Sequence, residues 1–332
     1  MLRASHGRQI AWSVYCWLAK HMLRTDDNPE SNVLREGVTN AQLEMAVRAS
    51  GYPLQRVVAE QLLRVFKVTE EWGYVDRETT DRRALDVFAF KRLRETPRLW
   101  LDLALLVECK RSELPFVFFA AAAPQVPREF PVVAGLRGRA PEIHVPGVGS
   151  TFAPTSQFLG LHDFAFVSAG PTTCSAFTRA ERKGKELDLS GSVPFNQVVL
   201  PLISALKHFL TLQKTVGSQT QVPACLAHPV CVVDGPMVLA EGNPETPRLT
   251  MCPWVRVVRQ EAIKDQDQGF WRHYVIDFVH RGYVSTFVDQ HLLPFAEEFA
   301  DRAAAVEGLL ADGKAGVPAL SQWKFSDLRP WK

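Results

Sequence analysis

The stretch "LLVECKRS" (residues 105–112) decides how this chain is read. In an extended strand, alternate side chains share a face. From Leu101 onward, Leu103, Leu105, Val107 and Cys109 therefore point one way, and Asp102, Ala104, Leu106, Glu108 and Lys110 the other. A strand that only had to pack has no reason to end with Glu108 and Lys110 side by side. Further upstream, "ALDVFAF" (84–90) places a single acid, Asp86, inside a second apolar run. Two carboxylates converging in an apolar setting repel each other and raise at least one pKa unless a cation sits between them. Mg²⁺ suits that position, because it takes hard oxygen ligands and keeps waters free for substrate phosphates. A neighbouring lysine can orient a water or offset phosphate charge.

The spacing alone is common, and the chain contains a second copy at Glu181-Arg182-Lys183 in "TRAERKGKEL". That copy lies in a hydrophilic run with no acid in an apolar stretch just upstream, and reads as a solvated loop. The bland reading of Glu108 and Lys110 is a same-face ion pair on an exposed strand edge, with Asp86 as a turn acid. The apolar flanks at 84–90 and 101–109 favour the chemical reading over that one.

The composition is that of a globular protein: 332 residues, 46% hydrophobic and 22% charged. A net charge of +2 announces no global nucleic-acid field, so any such role must rest on local patches. Six cysteines (16, 109, 174, 225, 231 and 252) form no CxxC pair, and nine histidines form no HExxH set. Reduced thiols in a cytoplasmic protein are the expectation. The N-terminal "HGRQIAWSVYCWLAKHMLR" holds about ten apolar-leaning residues where a spanning helix needs about twenty, so no membrane anchor is expected there. No G-x-S-x-G, P-loop or dinucleotide-binding glycine pattern occurs.

The texture divides the chain into an N-terminal extension (1–39), a first core segment (40–120), a Pro/Gly/Ser-rich insertion (121–190), a second core segment (191–240) and C-terminal strands with a helix (241–332). Leu43, Ala46 and Val47, then Leu54, Val57, Val58, Leu62 and Val65, give two amphipathic helices separated at Gly51 and Pro53. Strands follow to residue 120, and a helix at 194–214 carries Pro201 as a kink or late start. "HPVCVVDGPMVLAEG" (228–242) reads as strand, turn, strand, with the turn at Asp234-Gly235, and Gly313 is expected to stop the last helix. The fold class expected is α/β.

Asp86 followed by Glu108-x-Lys110 at the end of a second strand, after a helix with an internal acid, resembles the PD-(D/E)xK nuclease superfamily. "GYPLQRVVAEQLL", "LLVECKRSELPFVFF", "NQVVLPLISALKHF" and "HPVCVVDGPMV" resemble, in order, uncharacterised bacterial nuclease-like proteins of that superfamily. The resemblance implies a restriction endonuclease-like core (helix, three strands, helix, strand), here with a large insertion and extra C-terminal strands and helix. It implies metal-dependent hydrolysis of phosphodiester bonds, in DNA first, with Mg²⁺ as cofactor and Mn²⁺ as its substitute, in bacterial defence or DNA processing. Asp86, Glu108 and the carbonyl of Cys109 would hold the metal, and Lys110 would position or activate the water. Relatives often add a glutamate from the first helix; this chain has Gln55 at the matching place and Glu60 five residues on, so either Glu60 serves or the site has fewer carboxylates. Gln197 and Lys207 would stand at the site's edge. Double-strand cutting often needs a dimer, so a homodimer is one assembly compatible with this reading. A non-catalytic scaffold for nucleic acid or protein on the same fold is the alternative.

Phosphate contacts would come from basic residues near the acids: Arg83, Lys91, Arg92, Arg94 and Arg111. The competing reading makes 91–98 a solvated hairpin loop. Trp72, Trp100, Phe118, Phe119, Trp254 and Trp271 read as core, and His273 and His280 around Asp277 as structural histidines.

Overall fold

The computed structural model describes residues 24–122, 126–127, 129–137, 142–145, 149–152, 154–190, 194–214, 220–243, 245–260, 273–312 and 314–315. The spanning-segment reading of the N-terminus, Trp271 and the helix stop at Gly313 lie outside them. The chain divides into two compact units at Pro53. In the first, helix α1 (Asn40–Ala49) opens on a capping box in which Thr39 and Gln42 satisfy each other's backbone N–H groups, and the helix buries no residue.

The second unit is mixed α/β. Helix α2 (Tyr52–Leu63) leads into β1 (Lys67–Val75), β2 (Arg82–Glu95), β3 (Leu99–Arg111), β4 (Phe116–Ala120) and β5 (Val132–Ala134). After β6 (Glu142–Val145) and β7 (Gly149–Phe152) come β8 (Thr173–Lys183), β9 (Glu186–Ser190), helix α3 (Leu200–Leu212), β10 (Val222–Asp234), β11 (Met237–Glu241), β12 (Arg248–Met251), β13 (Trp254–Gln260) and β14 (His273–His280). Helix α4 (Leu293–Ala305) and the short α5 (Glu307–Asp312) follow. Twelve strands form one mixed sheet in the order β1-β2-β3-β10-β14-β13-β8-β4-β11-β12, with β5 on β10 and β9 on β8.

The alternation in β3 does what its sequence dictates. Leu101, Leu103, Leu105, Val107 and Cys109 pack with Leu54, Val58 and Leu62 of α2 and Phe295 and Phe299 of α4. Ala104 and Leu106 pack on the other side with Leu202, Ile203, Leu206 and Phe209 of α3. Both faces of the sheet's centre are therefore covered, and β3 and β10 read as nearly continuous apolar runs. Phe195–Leu212 is the one helical stretch among the described residues long and apolar enough to cross a membrane, and its buried residues belong to this second core. Pro201 sits at the start of α3, directly after a π-helical turn at Phe195–Val199, and Pro294 stands in the same relation to the π-helical turn Phe287–Leu292 before α4. A proline has no N–H to give the carbonyl four residues back, so the preceding turn widens.

Residues 121–190, expected as an insertion, contribute β8 to the main sheet between β13 and β4, and Phe130, Phe158, Leu161 and Phe166 join the core. Two expectations are corrected. "TRAERKGKEL" is not a loop but the end of β8, turning at Gly184 (φ 67°) into β9. And β10 and β11 form no hairpin. β10 runs parallel to β3, while β11 runs parallel to β4. Two neighbouring strands thus bend together, β3 through 112–115 and β10 through 235–236, joined across the bend by Ser112 N–H to Asp234 O (3.0 Å) and Phe116 N–H to Pro236 O (2.9 Å).

Gly235 is required by that corner rather than by a turn type. A Cβ there would collide with the backbone carbonyl of Ser112, which cannot swing away as a side chain would. Gly235→Ala is expected to cost about 2–3 kcal/mol as an overpacking change. The urea midpoint should fall at unchanged m-value; a midpoint equal to wild type would contradict this corner.

Candidate functional site

β2 and β3 pair antiparallel from Glu95↔Trp100 up to Val87↔Val107, so Asp86 lies one residue beyond the last pair and faces the end of β3. There its carboxylate takes over: Cys109 N–H donates to Asp86 Oδ2 at 2.6 Å. Lys110 Nζ donates to Glu108 Oε1 at 2.5 Å, as the shared strand face requires. The other Glu108 oxygen, Oε2, is buried with no hydrogen-bond partner, in a residue only 7% exposed. The C-terminal ends of the parallel strands β3 and β10 thus carry a half-satisfied buried carboxylate beside a second one. Such an edge is where open α/β sheets bind ligands.

The electrostatics follow from burial. Desolvation, reinforced by Asp86 and Glu71 and opposed by Lys110, pushes Glu108 up to about 7. Asp86 is raised too, chiefly by burial, although the Cys109 N–H and Lys110 pull it back. Burial alone would lower Lys110, but the adjoining Glu108 carboxylate outweighs it and raises the lysine, which keeps its proton. Burial also lifts the Cys109 thiol well above its usual range, so Cys109 offers the site its backbone and not a thiolate.

A divalent cation fits this donor set on chemical grounds. Asp86, Glu108 and the Cys109 carbonyl are hard oxygens, and the orphaned Glu108 Oε2 lacks what a cation would give it. Among the described residues no group of three or more His, Cys, Asp or Glu side chains is arranged to hold a metal ion. The set is therefore sparse, which suits an ion that retains several waters.

The remaining expected residues separate into two groups. Gln55 is buried on the face of α2 that packs on the sheet, whereas Glu60 is on the exposed face, ion-paired with Arg56 at 2.9 Å. The charges that shift Glu108 are those of Lys110, Asp86 and Glu71. Lys91, Arg92 and Arg94 sit toward the closed end of the β2–β3 hairpin, five to eight residues from Asp86. At about 3.3 Å per residue that is roughly 15–25 Å from the acids. Arg92 is bound to Asp102 and lies over Trp100, and Arg94 bonds Asp301 of α4 at 2.5 Å. These arginines tie the hairpin to its surroundings and stand away from the site, because a hairpin's tip and its open ends are at opposite ends. Arg83 and Arg111 do lie near it: Arg83 pairs with Asp76 and Asp81 (both 3.7 Å), and Arg111 with Asp234 (3.7 Å), which Arg281 also reaches at 3.2 Å. Gln197 is exposed, and Lys207 bonds Glu78 at 3.5 Å and lies over the Tyr274 ring.

Two neighbours of the site escaped sequence reasoning. Tyr74, buried and pushed up to about 12 chiefly by desolvation, feels the charge of Glu108. Glu71 of β1 acts on both Asp86 and Glu108. Asp76 N–H bonds Asp81 O to close the β1–β2 hairpin, and the register counted back from that closure places Glu71 opposite Asp86.

A second polar cluster lies on the other side of the sheet. Asp277 accepts from Arg256 through both oxygens (2.8 and 2.9 Å) and meets His228 Nε2 at 2.9 Å. Arg256 and Asp277 are 0% exposed, and the guanidinium lies over Phe130 (4.7 Å) and Phe166 (4.8 Å). The histidine of Asp277 is therefore a distant one, not His273 or His280. With Arg256 and His228 counted in, Asp277 is held well below the usual carboxylate range, although burial alone would raise it.

No family model matches the chain, and neither does any curated protein or solved structure.

Proposed function

We propose that the chain is a Mg²⁺-dependent nuclease acting on DNA, with a restriction endonuclease-like core running from α2 through β1–β3 to α3 and β10. The observation that carries this reading is the pairing of Asp86, held by the Cys109 N–H, with a Glu108 whose second oxygen is buried and unpartnered. Asp86, Glu108 and the Cys109 carbonyl would hold the ion. Bound Mg²⁺, or Mn²⁺ in its place, would supply charge to neutralise the phosphodiester and acidity to a water. The Cys109 N–H fixes the Asp86 carboxylate, and Lys110 stays protonated beside Glu108, where it can hold a water or a phosphate oxygen. Arg83 at the start of β2 and Arg111 at the end of β3, brought to one end of the sheet by antiparallel pairing, would meet the flanking phosphates.

The pH behaviour tests this reading. Glu108 is raised from 4.5 to about 7, so between those values the folded protein holds more protons than the unfolded one, and stability falls as pH rises through the window. A divalent cation needs the ionised form and displaces that proton. The thermal shift produced by a fixed concentration of Mg²⁺ or Mn²⁺ is therefore expected to grow from pH 6 to pH 8, with cleavage of supercoiled DNA rising in parallel. No cation-induced shift and no cleavage at pH 8 would sink the proposal and leave a scaffold role.

A further inference from the structure

Three neighbouring parallel strands, β3, β10 and β14, end together at the sheet edge that carries Glu108 and Lys110. Val233 is in register with both Lys110 and His280, so Arg111, Asp234 and Arg281 form the next row outward. Arg281 opens the 3₁₀ turn Arg281–Tyr283 directly after β14, and Gly282 N–H donates to His280 Nδ1 at 3.2 Å to fix that turn. Arg111 and Arg281 both turn to one oxygen, Asp234 Oδ2, at 3.7 and 3.2 Å, so their nitrogens are no more than about 7 Å apart. The two sides of the edge differ. Leu106 packs in the α3 core, and Glu108 and Lys110 continue that face. Cys109 and Val232 pack in the α2 core, and Arg111 and Asp234 continue that one. A nucleic-acid strand lying across the edge would meet the acids and the lysine on one side and the arginines on the other.

We infer that Arg281 contacts the substrate: with Arg111 it forms a phosphate clamp, oriented from behind by Asp234, that holds one strand of DNA across the carboxyl ends of β3, β10 and β14. The inference rests on the DNA-directed reading above. Charge supports it, because two guanidiniums share one carboxylate and leave a net positive row, in a chain whose overall charge is only +2. Access supports it as well. The Arg111 and Arg281 side chains are 44% and 50% exposed and Asp234 only 24%, so the cations face solvent and the anion lies behind them. A guanidinium carries five N–H donors in a planar fork that suits phosphate, and Arg281 directs Nη1 at Asp234. A purely structural role accounts less well for the row, since ion pairs this exposed contribute little to stability.

The experiment is fluorescence anisotropy of two labelled DNA duplexes of unrelated sequence, titrated with the full chain in EDTA so that no cleavage intervenes, across about 50–200 mM NaCl. Arg281→Gln should weaken binding to both duplexes alike, by about threefold or more, and flatten the slope of log affinity against log salt by about one. Arg281→Lys should keep the slope, because the charge remains. Asp234→Asn should bind more tightly than wild type, since the clamp loses its counter-charge. Arg94→Gln, toward the closed end of the β2–β3 hairpin and paired with Asp301, should match wild type. Thermal melts should place Arg281→Gln within a few degrees of wild type. Wild-type affinity and slope in Arg281→Gln would overturn the clamp and leave the nuclease reading intact. Weaker binding by Asp234→Asn, matching Arg281→Gln, would make the row a structural bridge and overturn the clamp too. Weaker binding by Arg281→Gln alongside a wild type that shows no Mg²⁺-dependent cleavage would uphold the clamp and remove the nuclease. No DNA binding by wild type would remove both.

Discussion

Lys110→Ala is expected to lower Mg²⁺-dependent DNA cleavage by about 10²–10⁴-fold, the range for losing a positioned proton-holding or charge-stabilising group. The geometry makes the effect separable from cation binding. Lys110 bonds Glu108 Oε1, while Oε2 and Asp86 are free of it. Without the lysine, Glu108 loses the one charge that lowers its pKa, so it will ionise at higher pH than in wild type. Cation binding should therefore need a higher pH than in wild type and weaken sharply toward neutrality. Asp86→Asn should behave differently, losing cation binding and cleavage together at every pH. Circular dichroism would confirm that both variants are folded. Equal cleavage by Lys110→Ala and wild type would place the chemistry elsewhere and restore the bland reading of Glu108 and Lys110 as a strand-edge ion pair.

The largest stability effect belongs to the other face of the sheet. Asp277→Ala strands the Arg256 guanidinium, fully buried among Phe130, Phe166 and Trp254, and also deprives His228 of its acceptor. Breaking one partner of such a buried pair costs about 3–5 kcal/mol, whereas replacing both by apolar groups of similar volume can be close to neutral. Denaturant melts of Asp277→Leu, Arg256→Met and the double variant should show strong non-additivity, the double variant being more stable than either single one. Additive losses would mean that the two side chains act separately. The sign with pH is fixed as well. Asp277 is held below its unfolded value, so its contribution is present above about pH 4 and is lost only as pH falls through the lowered native pKa. Cation binding at Asp86 and Glu108 should not respond to these changes while the protein stays folded, since the two clusters occupy opposite faces.

Much of the site was legible before any coordinates. Alternation in 101–110 puts Glu108 beside Lys110 and away from Cys109, and the structure keeps all three where that pattern sends them. The apolar flanks of Asp86 likewise identified a strand that must lie against the core. Glu71 was hidden because its significance depends on register, which is set by the closure of the 76–81 turn and a break in alternation that no local pattern records. Lys91, Arg92 and Arg94 are close to Asp86 in sequence and far from it in space, because along an extended strand each residue carries the chain a further ~3.3 Å away.

The sequence by itself thus determined which side chains share a strand face, where helices begin, and that two acids and a lysine stand at the ends of apolar strands. Those properties follow from backbone geometry within a few residues. Tertiary structure alone decided that β10 runs beside β3 rather than folding back on β11, that His228 finds Asp277 across 49 residues, and that β8 belongs to the main sheet. Each of those pairings joins segments far apart in the chain, where burial of whole faces and satisfaction of buried charge outweigh the local signal at Asp234-Gly235.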